Sequence, residues 1–119
     1  MKEIKAFIRI VRAIEACNHL RAKGFSSMTL SECEGTGVYN DPIVDFPTFN
    51  FPFMHSKVAK IEIVCLDEDV EPIVEIIQKH GRTGFSGDGI IYVVDVVQAY
   101  RVKDSTTGED ALKSLPQKQ

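Results

Sequence analysis

An α+β fold, an antiparallel sheet with both helices on one face, follows from three features of this 119-residue chain. The N-terminus alternates apolar and polar residues, two later stretches carry helical stripes, and a strand-like run follows each stripe. Lys2 to Ile10 sets Ile4, Ala6, Ile8 and Ile10 on one face, with Phe7 the exception, the period of a half-buried first strand. From Val11 the repeat becomes Val11, Ile14, Cys17 or Asn18, and Leu20, one stripe of a helix whose other side carries Arg12, Glu15 and Arg21 and which Gly24 ends. Ser27 to Glu34 alternates again as a second strand. Lys57 to Leu66, rich in β-branched residues, is the third.

The acidic group Asp67, Glu68, Asp69 and Glu71, with Pro72, suits the first turn of a second helix, where carboxylates meet the positive end of the dipole. Val70, Ile73, Val74 and Ile77 form its apolar stripe, Lys79 and His80 sit at its negative end, and Gly81 stops it. Gly89 to Asp95 predicts a fourth, central strand, and a short fifth is expected around Tyr100 to Lys103. The order βαββαβ, with a long connection over 38–56, is the ferredoxin-like arrangement. One domain is expected over 1–112. The polar stretch beyond Thr106 is expected to fray, with 113–119 a flexible tail.

Composition narrows the function. With 44% hydrophobic and 26% charged residues and a net charge of −3, the chain lacks the basic excess of a general nucleic-acid binder. It shows neither a signal-peptide centre nor an apolar run of roughly 18 residues that could insert in a membrane, so a cytoplasmic protein is expected. Cys17, Cys33 and Cys65 are far apart and without a CxxC pair, which predicts buried reduced thiols rather than disulfides or zinc.

The stretch HGRTGFSGDGIIYVVD, His80 to Asp95, carries the strongest chemical signal. Gly81, Gly84, Gly87 and Gly89 allow positive φ and turn backbone amides toward an anion, with Arg82, Arg101 and Lys103 as nearby cations. On glycine count alone, a tight turn with solvated charges is the plainer reading.

Several separated stretches in register resemble the PII signal-transduction proteins, trimeric regulators of nitrogen and carbon metabolism. They are MKEIKAFI at the start, MTLSECEGTG at Met28 to Gly37, KIEIV at Lys60 to Val64, TGFSGDG before IIYVVDV, Arg101 with Lys103 where the family has an Arg-x-Arg pair, and TGEDAL at Thr107 to Leu112. The resemblance implies a homotrimer with an adenine nucleotide (ADP, AMP or ATP) in each of three inter-subunit clefts. Thr29, Glu62 and Val64 would surround the base, and Gly35 and Gly37 would border the ribose and phosphates. Gly87, Asp88 and Gly89 would form the phosphate loop, with Arg101 and Lys103 as its cations. It displaces the plainer reading of the glycine loop.

Three positions depart from the family pattern. The lysine after GDG is Ile90, the loop glutamine that helps hold Mg and 2-oxoglutarate is Tyr39, and the lysine that pairs with 2-oxoglutarate is Val58. These departures argue against Mg-ATP bound together with 2-oxoglutarate and favour ADP or AMP. Divergent PII-like proteins linked to inorganic carbon lose the same groups, which makes bicarbonate the second ligand to test.

The connection 38–56 lies where the family has its T-loop, the arm that docks on targets. Phe51 replaces the tyrosine that uridylylated members carry. Phe46, Phe49, Phe51, Phe53 and Met54 make the arm apolar, and Pro42, Pro47 and Pro52 restrict it, as expected of a partner-binding surface; folding back on its own trimer is the alternative. The expected targets are a transporter or an enzyme of nitrogen or inorganic-carbon metabolism. His19, His55 and His80 show no metal spacing, so no metal site is expected, and Glu32, Glu34 and Glu62 lack a nucleophile, so no catalytic residue is expected. Two rivals remain at this point: a trimeric interaction module with a decayed nucleotide site, and a metal-tolerance trimer of the CutA kind.

Overall fold

A computed structural model describes residues 1–113 of the chain. Its elements are β1 (Lys2–Arg9), α1 (Ile10–Ala22), β2 (Thr29–Gly35), β3 (Ser56–Cys65), α2 (Val70–Gly81) and β4 (Ile91–Asp95). A 3₁₀ turn at Asp67–Asp69 leads into α2, and another, Gly108–Leu112, lies near the C-terminus. The sheet runs in the order β2-β3-β1-β4, and every neighbouring pair is antiparallel. Each βαβ crossover therefore skips one strand, which makes β1 and β3 the centre of the sheet.

Alternation in β1 sends Ile4, Ala6 and Ile8 to the helix side, where they meet Ile61, Ile63 and Cys65 of β3 and Leu20, Ile73 and Ile77 of the helices in one buried core. Burying each such isoleucine or leucine contributes about 1.5–3 kcal/mol. Phe7 points to the opposite, helix-free face, stacked on Tyr92 with ring centroids 5.9 Å apart and tilted against Tyr39 at 5.7 Å. Glu62 and Lys60 share that face with Lys5 and Phe7, their cross-strand partners.

Several sequence expectations are corrected. Ile10 begins α1 instead of ending β1. The helix buries Ala16, Cys17 and Leu20, while Val11 and Ile14 stand 81% and 77% exposed, because the small Ala13 and Ala16 are the residues that let the helix approach the sheet. β4 is an edge strand, and it starts at Ile91 because Gly89, with φ +75°, cannot extend, although Ile90 O still accepts from Phe7 N at 2.9 Å. The fifth strand reduces to one bridge between Tyr100 and Thr107, a small self-closed turn in which Arg101 N donates to Thr106 O and Gly108 N to Ala99 O. The expected fraying beyond Thr106 does not extend to Gly108–Leu112, which folds into the 3₁₀ turn; 114–119 lie outside the described residues. All three cysteines are free, but Cys33 is only half-buried, since it lies on the uncovered face of β2.

Candidate functional site

The chain from Arg82 to Ile90 leaves α2 and returns to the sheet edge as a braced loop. Asp88 does not face outward from it. Its Oδ2 accepts from the backbone amides of Thr83 (2.9 Å) and Gly84 (2.8 Å), and its Oδ1 accepts from the Thr83 hydroxyl (2.6 Å) and Arg9 Nε (3.0 Å). Partial burial pushes the Asp88 carboxyl up, but the bonds from Thr83, Gly84 and Arg9 outweigh it and bring it down from 3.8 to about 2. The carboxylate organises the turn from within.

Glycine is required at two points of this loop. At Gly89 a Cβ would lie 1.9 Å from Phe7 O, so the loop crosses β1 with no room for a side chain. At Gly87, φ is +93° and a Cβ would meet Tyr39 O at 3.0 Å and Arg9 Nη2 at 3.1 Å. The glycine loop is thus packed against the root of the 38–56 arm. Arg9 joins the two, since its guanidinium also donates to Ser86 O and lies 3.9 Å from the buried Asp41 of the arm. Sequence reasoning missed Arg9, because an arginine ending an amphipathic strand ordinarily reads as solvated.

The other residues predicted for the nucleotide fall into three further groups. Gly35 and Gly37 flank the arm's root. Gly35 is buried under Tyr39, whose Cβ would be 2.6 Å from an added methyl, while Asn40 accepts from Gly37 N and donates to Gly35 O, both at 3.0 Å. Thr29, Glu62 and Val64 line a groove of about 510 Å³ on the helix-free face, bordered by Glu3 and Ala111 to Lys113. Asp88 and Gly89, with Arg82, border a different groove of about 550 Å³ between α2 and β4. Within one chain the residues expected around the base and the Asp88–Gly89 turn therefore lie in separate grooves, and Gly87, Arg101 and Lys103 line neither of these.

Arg101 is engaged within its own segment. Its Nη2 donates to Asp110 O (2.9 Å) and Lys113 O (2.8 Å), and its Nη1 lies 3.5 Å from Asp104. Lys103 is exposed. Of the departing positions, Val58 is buried, Tyr39 packs over Gly35 and Phe7, and Ile90 is 44% exposed. None of these three side chains offers a charge.

The arm has no regular structure between its root and β3, apart from short turns. Val44 N and Asp45 N both donate to Asp41 O, and Thr48 and Phe51 exchange backbone hydrogen bonds of 2.9 and 3.2 Å. Phe51 packs edge-on against Phe53 at 5.3 Å and against His55 at 4.6 Å, whereas Phe46, Phe49, Phe53 and Met54 are exposed, Phe49 completely. The histidine expectation needs correction. Glu15 lies four residues before His19, and helix packing adds His80 to that pair, so these three side chains converge.

A family model described as nitrogen regulatory protein P-II matches residues 1–106. The chain belongs to the PII family. Among its relatives, nitrogen regulatory protein P-II 2 of Methanothermobacter thermautotrophicus is 36% identical over 94% of this chain and 97% of its own length. The nitrogen regulatory protein P-II of Rhizobium meliloti is 30% identical over 94% of this chain and its own full length. A nitrogen fixation nifHD region GlnB-like protein 2 of Methanobacterium ivanovii is 36% identical over 94% and 99%. PII proteins are trimeric regulators that act in signal transduction through target proteins, bind adenine nucleotides and are not enzymes. This PII chain has the family's α+β ferredoxin-like fold, and among its described residues no helix is long and apolar enough to cross a membrane.

Proposed function

We propose that this PII protein senses adenine nucleotides at clefts between the subunits of a trimer and passes the nucleotide state to a target through its arm. The observation that carries this reading is the packing of the glycine loop on the arm's root, where Gly87 abuts Tyr39 and Arg9 holds Asp88 beside Asp41. A phosphate received by the loop amides would alter the contacts that set the arm's position. Such a difference between states is what a ligand needs in order to shift a conformational equilibrium.

The separate grooves of a single chain fit a shared site. Thr29, Glu62 and Val64 of one subunit would take the base, and the Gly35, Gly37 and Gly87–Gly89 region of its neighbour would take the ribose and phosphates. Lys103 would be the available cation, and Arg101 would join it by exchanging its carbonyl partners for phosphate oxygens. With Tyr39, Val58 and Ile90 offering no charge, ADP or AMP is favoured over Mg-ATP with 2-oxoglutarate, and bicarbonate is the second anion to test. The exposed Phe46, Phe49, Phe53 and Met54 would anchor the target, a transporter or enzyme of nitrogen or inorganic-carbon metabolism, with Phe51 shaping the turn beneath them.

Isothermal titration with AMP, ADP and ATP, each with and without Mg, 2-oxoglutarate and bicarbonate, tests this function. Binding of ADP or AMP that 2-oxoglutarate does not strengthen supports it. The absence of heat with every nucleotide would leave an interaction module with a decayed cleft, the reading that Ile90 favours.

A further inference from the structure

On the outer surface of the helical layer, away from the glycine loop's grooves, Glu15 and His19 of α1 meet His80 of α2. The Glu15 Oε1, His19 and His80 ligand atoms all lie within 4.8 Å of one another. Glu15 Oε1 is 3.9 Å from His19 Nε2 and 3.7 Å from His80 Nδ1, too long for hydrogen bonds, so the three groups converge without satisfying each other. The two imidazoles are stacked with centroids 3.5 Å apart and planes within 7°. Arg12 holds the arrangement from behind: its Nη1 lies 3.3 Å from the other Glu15 oxygen, and its Nε donates to His80 O at 2.9 Å. That leaves Oε1 of Glu15 directed at the imidazoles.

We propose that Glu15, His19 and His80 form a binding site for a divalent transition ion of the zinc type, which clasps α1 to α2. Two imidazoles and one carboxylate are a ligand set that Zn²⁺ accepts, with water in the fourth position. Zinc–ligand bonds of about 2.0–2.1 Å require ligand atoms about 3.3–3.5 Å apart in a tetrahedron, so the two contacts to Glu15 need to close by only a few tenths of an ångström. The histidine pair must also slip from its stack so that both nitrogens face one point. Helical spacing supplies Glu15 and His19 four residues apart on one face, and α1–α2 packing supplies His80. Lys23, Lys79 and Glu75 border the adjacent hollow; the lysine charges oppose a cation, and the carboxylates of Glu15 and Glu75 offset them. Because His80 directly precedes Gly81, where α2 ends, a bound ion would also fix the point from which the glycine loop departs.

The test is titration of the whole protein with ZnCl₂ by calorimetry, alongside His19→Ala and Glu15→Gln. Both side chains are about half-exposed (48% and 49%), so both variants should fold, and circular dichroism checks that they do. The expected result is one Zn²⁺ per chain, bound at least ~10-fold more weakly in each variant, since the ion loses one of three protein ligands. Cobalt substitution should give visible bands of nitrogen and oxygen ligation without cobalt–thiolate absorption. Unchanged Zn²⁺ affinity in both variants, a thiolate spectrum pointing to Cys33, or equal binding of Ca²⁺ would each overturn the site.

Discussion

The loop over 82–90 and the arm over 38–56 are both irregular connections, one rich in glycine and the other in proline and phenylalanine, yet they use their side chains in opposite ways. In the first, Asp88 accepts four hydrogen bonds and Arg9 ties the loop to β1, so the backbone is held in one shape with its glycines at positive φ. In the second, turns of a few residues are closed by backbone bonds, and the large side chains Phe46, Phe49 and Phe53 project into solvent. On the proposed function, rigidity suits the loop for receiving a small anion at fixed amides, and exposure suits the arm for meeting another protein. The two are joined at Tyr39 and Asn40, against which Gly87 packs.

The comparison breaks most severely at Gly89. Gly89→Ala places a methyl 1.9 Å from Phe7 O at φ +75°, and it should destabilise the protein by on the order of 3 kcal/mol in urea unfolding, because neither β1 nor the loop can move away. A loss below about 1 kcal/mol would mean that the loop is as pliable as the arm.

Asp88→Asn comes next, at about 2 kcal/mol, since it removes an ionised acceptor from Thr83, Gly84 and Arg9. It also has a pH signature. With the folded carboxyl at about 2 instead of 3.8, the native state binds fewer protons than the unfolded chain between those values. That share of stability is fully present above about pH 5 and lost as pH falls through 2. Acid unfolding of Asp88→Asn should lack this step, and an unchanged acid transition would count against the brace.

Gly37→Ala probes the arm's root. Its φ is +67° but nothing lies within 4 Å of the added methyl, so only backbone strain of about 1 kcal/mol is expected, well below the Gly89 effect. Phe49→Ser should change stability by less than about 0.5 kcal/mol, because the ring is completely exposed. Its effect should instead appear in capture of the target, as should deletion of 46–53, with the trimer seen intact by light scattering. A large stability loss in Phe49→Ser would show that the arm packs on its own assembly.

Much of this protein was legible in its residues because the deciding interactions are local or periodic. The alternation of Ile4, Ala6 and Ile8 set the buried face of β1, the stripe Val70, Ile73, Val74 and Ile77 set that of α2, and the register of MTLSECEGTG, KIEIV and TGFSGDG pointed to the PII family. Tertiary structure decided what depends on residues distant in sequence. It placed β4 at the sheet edge because each crossover skips a strand, and it turned α1 so that Val11 and Ile14 face outward while Ala13 and Ala16 lie close to the sheet. It drew Asp88 inward to Arg9, 79 positions away, and it joined His80 to Glu15 and His19. Hydrogen-bond partners and converging ligands across such separations leave no period in the sequence, because they are chosen only when packed elements bring the side chains within a few ångströms of one another.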